Sequence, residues 1–170
     1  EASTKSPLDA TLDAYFGVYK KGNYWIYKNQ DKTKKDSIYV LLYSRYSTLE
    51  SPPCSYKEEL NATLRSSGKN FFNSNGDTAY ITASFKSIYS SYYSIFPSNI
   101  DGLYFDSDTV LATSSTGKTS HLLTKKINDL MYSNVLQVYN LSDTLYMQKD
   151  VGIIGWKKNN DTYNLVSKYL

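Results

Sequence analysis

Short apolar and aromatic runs, each bounded by turn-forming residues, recur along most of this chain. Residues 23–28 read Asn-Tyr-Trp-Ile-Tyr-Lys, follow Gly22 and precede Asn29-Gln30-Asp31, which predicts a strand. Residues 37–46 predict another, with Ile38, Val40, Leu42 and Tyr46 on one face and Tyr39, Leu41 and Tyr43 on the other. Apolar residues on both faces suit a central strand covered on both sides, or an amphipathic strand lined by tyrosine. Residues 56–65 carry two periods at once. Tyr56, Leu60 and Leu64 fall at helical spacing behind a Ser55/Glu58 capping box, yet Tyr56, Leu60, Ala62 and Leu64 also alternate with polar residues, and the alternation favours a strand.

Asn75-Gly76-Asp77 is a strong turn signal, and beyond it Ala79, Ile81, Ala83 and Phe85 alternate with Thr78, Tyr80, Thr82 and Ser84. Residues 87–96 fit a strand or a helix. Asp101-Gly102 and residues 106–108 read as turns around a strand at 103–105, and further strands are expected near Val110 and at 132–139, 144–147, 151–157 and 162–170. The predicted fold class is mainly β: an antiparallel meander forming a curved sheet, sandwich or half-barrel, with at most one or two short helices. Residues 1–12 are small and polar and read as a flexible tether, leaving 13–170 as a single β-rich domain.

Composition sharpens this picture. Aromatic residues make up 15% of the 170-residue chain, and 18 are Tyr against 6 Phe and 2 Trp. Tyrosine suits a pleated, half-buried surface, because its ring covers apolar neighbours while its hydroxyl reaches water or a polar partner. A net charge of +3 is too small an excess to point to nucleic acid, and the basic cluster at Lys32, Lys34 and Lys35 is flanked by Asp31 and Asp36, as in a solvated loop. The chain has one cysteine, Cys54, so an internal disulfide is excluded, and no His lies nearby in sequence to activate the thiol.

Candidate chemistry is sparse. Residues 112–119, Ala-Thr-Ser-Ser-Thr-Gly-Lys-Thr, match a relaxed phosphate loop, with a helix at 120–131 as the required continuation. The short hairpins expected afterwards do not supply the parallel sheet that such a loop needs, so a Ser/Thr/Gly surface loop is the preferred reading. His121 is the only histidine, which argues against a metal centre or a Ser-His-Asp triad. Glu58 and Glu59 are adjacent and diverge in either a strand or a helix, and Asp106-Ser107-Asp108 reads as a turn. No catalytic residue, cofactor or metal ligand is assigned. The aromatic positions Tyr24, Trp25, Tyr27, Tyr39 and Tyr43 remain as a candidate platform for stacking on sugar rings or anchoring a protein partner, set against the plainer reading of core packing.

Both ends of the chain also resemble a family. Gly22-Asn23-Tyr24-Trp25-Ile26-Tyr27 with Asp36-Ser37-Ile38-Tyr39-Val40, and then Tyr132-Ser133-Asn134-Val135-Leu136, Tyr146 to Trp156 and Tyr163-Asn164-Leu165, look like the opening hairpin and closing meander of small envelope lipoproteins of Bacteroidetes-type bacteria. The resemblance implies an exported protein, at the periplasm or cell surface, held to the membrane by a lipidated cysteine upstream of the tether. It also implies glycosylation at Asp-Ser/Thr-apolar triplets, which here place Ser37, Thr78, Thr109 and Thr144 as acceptors. The expected function is non-catalytic binding or scaffolding with a protein or glycan partner and no nucleic acid. The alternatives are a lipid or glycan carrier with a tyrosine-lined cavity, and a carboxylate-based hydrolase.

Overall fold

The computed structural model describes residues 10–50, 55–67, 78–86, 90–96, 103–106, 109–112, 118–139, 143–158 and 160–170, with side chains in 13–47, 59–67, 120–139, 144–157 and 160–170. It is mainly β. One short helix, α1 (Ala10–Phe16), precedes β1 (Tyr24–Asn29), β2 (Lys35–Glu50), β3 (Ser55–Ser66), β4 (Thr78–Lys86), β5 (Ser90–Phe96), β6 (Leu103–Asp106) and β7 (Thr109–Ala112). Then follow β8 (Lys118–Ile127), β9 (Leu130–Tyr139), β10 (Asp143–Gln148), β11 (Gly152–Lys158) and β12 (Asp161–Tyr169).

All twelve strands join one curled antiparallel sheet in the order β7-β6-β5-β4-β3-β2-β1-β12-β11-β10-β9-β8. Consecutive strands pair with each other, as in a meander, except β7 and β8, which form the two edges of the sheet; the first and last strands pair from Tyr24↔Tyr169 to Asn29↔Tyr163. Residues 56–65 form strand β3 as the alternation predicts, and the described part of 87–96 is strand β5, while 87–89 lie outside the described residues. The stretch that a phosphate loop would need as a helix is strand β8. The turn at 75–77, Cys54 and the loop at 113–117 lie outside the described residues. So do residues 1–9, whereas residues 10–12, assigned to the tether from sequence, belong to α1.

Alternation places Trp25 and Tyr27 of β1, Ile38 and Val40 of β2, Leu60, Ala62 and Leu64 of β3, Leu145 and Met147 of β10 and Tyr163 and Leu165 of β12 in one buried core. Three bulges break the period. In β2 the register slips between Val40 and Leu42, so the expected face of Ile38, Val40, Leu42 and Tyr46 is split. Leu42 turns outward at 63% exposure, and Tyr43 packs against the core in its place. In β11 the slip sets Tyr146↔Gly155 next to Met147↔Ile153, which leaves Ile153 and Ile154 both fully buried. The third slip, in β12, leaves Val166 without a partner on β1.

α1 and the segment after it bring Tyr15, Phe16 and Tyr19 into the same core, in a chain of ring contacts that ends on Trp25 at 5.0 Å. The Arg45–Asp13 ion pair at 2.9 Å and the Asp150 N–H bond to the Ala14 carbonyl at 2.7 Å hold it in place. Tyr19 Oη accepts from the Ile153 N–H at 2.9 Å, and Gly152 (φ +84) leaves room for it, since a Cβ there would lie 2.8 Å from that oxygen. We expect Phe16→Ala to lower unfolding free energy by about 3–5 kcal/mol in a denaturant titration, as for a core ring and unlike a dispensable leader.

The β8–β9 hairpin outgrows its neighbour. β9 pairs with β10 only from Leu136 to Tyr139, but pairing with β8 continues to Leu130. Asn134 adopts a left-handed conformation (φ 52°) just where β10 ends. The projecting part lies on the outer face of the sheet. Ile127, almost fully buried, sets its Cδ1 3.6 Å from the point a Gly155 Cβ would occupy, and the Lys125 ammonium sits 4.0 Å over the Tyr146 ring. Gly155 pairs with Tyr146 and Asn164, which alternate with the inward Leu145, Trp156 and Tyr163. Asn128 Nδ2 then donates to the Leu165 carbonyl at 2.9 Å and ties the hairpin tip to β12. Gly155→Val adds bulk both against the Tyr163 carbonyl, 2.8 Å from a Cβ, and under Ile127. We expect it to cost about 1–3 kcal/mol of stability by thermal unfolding and to raise hydrogen exchange in the hairpin tip.

Candidate surface site on the outer face of the β1–β12 pair

The five aromatic residues singled out from sequence do not form one platform, because neighbours along a strand face opposite ways. Trp25 and Tyr27 are fully buried, and their polar atoms are committed: Trp25 Nε1 donates to the Val151 carbonyl at 2.8 Å and Tyr27 Oη to the Ile153 carbonyl at 2.9 Å. Tyr27 also meets Trp156 edge-on at 4.4 Å, and Trp156 stacks on Tyr163 at 5.0 Å. These rings build the core. Tyr43 is half-buried against it.

Tyr24 and Tyr39 lie on the outer face, directly opposite each other across β1 and β2. Tyr24 is also directly opposite Tyr169, and their rings stack at 4.3 Å with an interplanar angle of 16°. Tyr39, Tyr24 and Tyr169 therefore form a ladder across three strands, continued on β3 by Arg65 opposite Tyr39. Tyr169 is 52% exposed and was not singled out from sequence, because its value depends on the pairing of the chain's first and last strands. Partial desolvation and the neighbouring Tyr169 raise the Tyr24 pKa above the usual tyrosine range.

Along β1 the outer face runs Tyr24, Ile26, Lys28 and ends in a cleft of about 310 Å³. Lys28 and Lys32, the hairpin tip at Asn128 to Leu130, and Leu165 and Val166 line it. The β1–β2 turn is held by its own side chains: Asn29 Oδ1 accepts from the Lys34 N–H at 2.7 Å, and Asp31 Oδ1 accepts from the Thr33 hydroxyl at 2.6 Å. Within the basic cluster, Lys34 pairs with Asp161 at 2.8 Å, whereas Lys32, left-handed at φ 62°, lines the cleft.

The other candidate groups are dispersed. Asp36 is fully buried and accepts from both the Ser66 hydroxyl (2.8 and 2.7 Å to its two oxygens) and the Ser37 N–H at 2.7 Å, so its bonds tie β2 to β3. Glu59 accepts from the Tyr46 hydroxyl at 2.6 Å and from Asn61 Nδ2 at 2.8 Å. His121 is exposed on β8. Among the described residues no cluster of three His, Cys, Asp or Glu could hold a metal ion, and no helix is long and apolar enough to cross a membrane. Of the glycosylation candidates, Ser37 and Thr144 are half-buried in strands, while the side chains of Thr78 and Thr109 lie outside the described residues. No family model, curated protein or solved structure matches this chain.

Burial pushes the Tyr19 and Tyr27 phenols well above the usual tyrosine range; for Tyr27 the nearby Tyr19, Asp36 and Tyr132 add to the effect. An unfolded tyrosine ionises near pH ~10. Above that pH the unfolded chain releases protons that the folded chain keeps, so the contribution of these phenols to stability is intact below pH ~10 and falls as pH rises further. In a base titration, one tyrosine class should ionise reversibly, and a second only together with loss of near-ultraviolet circular dichroism. A single smooth phenolate transition in a protein that stays folded would contradict the assigned burial.

Proposed function

We propose that this domain is a non-catalytic glycan-binding module of an exported, envelope-associated protein, and that it engages its ligand on the tyrosine ladder of the outer face. The observation that carries the reading is the exposed Tyr169 ring, stacked and held by Tyr24. A sugar ring has one face rich in C–H groups and a rim of hydroxyls. It is matched by an aromatic face with polar groups alongside, here Ser37 and Ser167, the cross-strand partners of Ile26, and Asn164 opposite Lys28. Holding the ring in place beforehand lowers the ordering cost of binding. The resemblance of both ends to envelope lipoproteins supports an encounter at the cell surface.

The carrier alternative calls for a hollow, tyrosine-lined interior. Among the described residues, Trp25, Tyr27, Trp156 and Tyr163 instead fill the inner face with ring-to-ring contacts. The hydrolase alternative calls for two carboxyl groups converging on a cleft. The 310 Å³ cleft is lined by one, Asp129.

Titration calorimetry against a panel of soluble oligosaccharides tests the proposal. Tyr169→Ala should weaken binding of the best oligosaccharide about five- to tenfold, as expected for one lost stacking contact, with an unchanged circular dichroism spectrum. Failure of every oligosaccharide to bind, or unaltered affinity in both Tyr169→Ala and Tyr24→Ala, would overturn it.

A further inference from the structure

The ladder and the lysine cleft share one strip of surface. Tyr24 and Lys28 are four residues apart on the same face of β1, about 14 Å at strand spacing. Ile26 and Val166 lie between them, so the strip is aromatic at one end, apolar in the middle and basic at the other. The basic end is built: the turn carrying Lys32 is fixed by Asn29 and Asp31, and the opposite wall is fixed by the Asn128–Leu165 bond. Lys28 and Lys32 contribute two positive charges and Asp129 one negative, which leaves the cleft lining at +1. Lys34, whose charge is answered by Asp161, does not take part.

We propose that the strip binds an acidic glycan, with one sugar ring on the Tyr24–Tyr169 pair and a carboxylate or sulfate substituent of a later sugar between Lys28 and Lys32. This assignment rests on the glycan-binding reading above and adds the charge class of the ligand. Two ammonium groups from β1 and the turn that follows it, reaching one anion in the cleft, make charge-assisted hydrogen bonds that a neutral sugar cannot replace. Leu130 and Val166 wall the site with apolar surface and reduce the water that competes for those bonds. Asp129, on the same rim, opposes any anion and is the built-in control.

The test uses the full chain with three probes of equal length: an oligogalacturonate, a sulfated heparin-derived oligosaccharide and a neutral xylo-oligosaccharide. An acidic probe should bind at least about tenfold tighter than the neutral one, with the preference lost at high salt. The double variant Lys28→Gln/Lys32→Gln should remove that preference, bringing the acidic probe down to the affinity of the neutral one. Asp129→Asn should increase affinity for the acidic probe, and Tyr169→Ala should weaken all probes that bind. Comparing the two acidic probes tells carboxylate from sulfate. Equal affinity for acidic and neutral probes, or an acidic preference that survives the double lysine variant, overturns the charge assignment while leaving glycan binding intact. Insensitivity of every probe to Tyr169→Ala and Tyr24→Ala overturns the glycan reading and this one with it.

Discussion

The pairing of β1 with β12 is the constraint on which the rest of this structure depends. A meander whose end strands stay apart has two open edges near its termini. Here the first and last strands close on each other, and the closure organises both faces at once. Inward, Trp25 and Tyr27 lean across β12 and bond to the carbonyls of Val151 and Ile153 on the far side. Outward, Tyr24 is brought into register with Tyr169 as well as Tyr39. Joining the chain's ends is entropically costly, because many residues are ordered before the contact forms. Burial of large rings offsets that cost: Trp25, Tyr27 and Tyr163 all sit in this pair of strands and are essentially removed from water.

The bulges decide which side chains each face receives. A one-residue slip exchanges the two faces for the rest of a strand. In β2 it sends Leu42 outward and Tyr43 inward, and with the same change of phase Arg45 comes opposite the inward Leu60 and reaches Asp13 of α1. In β12 it adds Val166 beside Leu165, so that both residues line the cleft although only one belongs to the core. The candidate surface is thus a product of irregularity in the ladder as much as of its regular alternation.

Much of this fold was legible from period-two patterning. The strands at 23–28, 56–65, 79–85 and 144–147 all appear, because local alternation against a half-buried sheet is a local signal. The bulges were not legible, since Leu41 and Leu42 are interchangeable to any hydrophobicity pattern and only packing selects which is the extra residue. Nor was α1, whose seven residues are too few to show a helical period and whose Tyr15 and Phe16 abut a polar leader. The site was half legible. The aromatic cluster in the sequence points to Tyr24 and Tyr39, but it also includes Trp25 and Tyr27, which alternation sends to the other face. Tyr169 gives no sign in the sequence and Lys32 only that of a solvated basic cluster, because their places come from a partner strand at the far end of the chain and from a turn held by Asn29 and Asp31.

Tyrosine abundance itself proves to have two causes. At the β11 bulge the main chain of Ile153 is served on both sides by phenols: Tyr19 accepts its N–H and Tyr27 donates to its carbonyl. A buried main-chain group left without a partner costs about 1–3 kcal/mol, so phenylalanine at either position would keep the packing and forfeit the bond. At Tyr19 and Tyr27, then, the hydroxyl is what distinguishes tyrosine from phenylalanine, because it satisfies main-chain groups where the ladder slips. On the outer face the hydroxyl has a different use, keeping Tyr24, Tyr39 and Tyr169 compatible with water while their rings offer a flat apolar surface. One residue type answers an internal bonding need and an external recognition need, and only the side of the strand on which it falls separates the two.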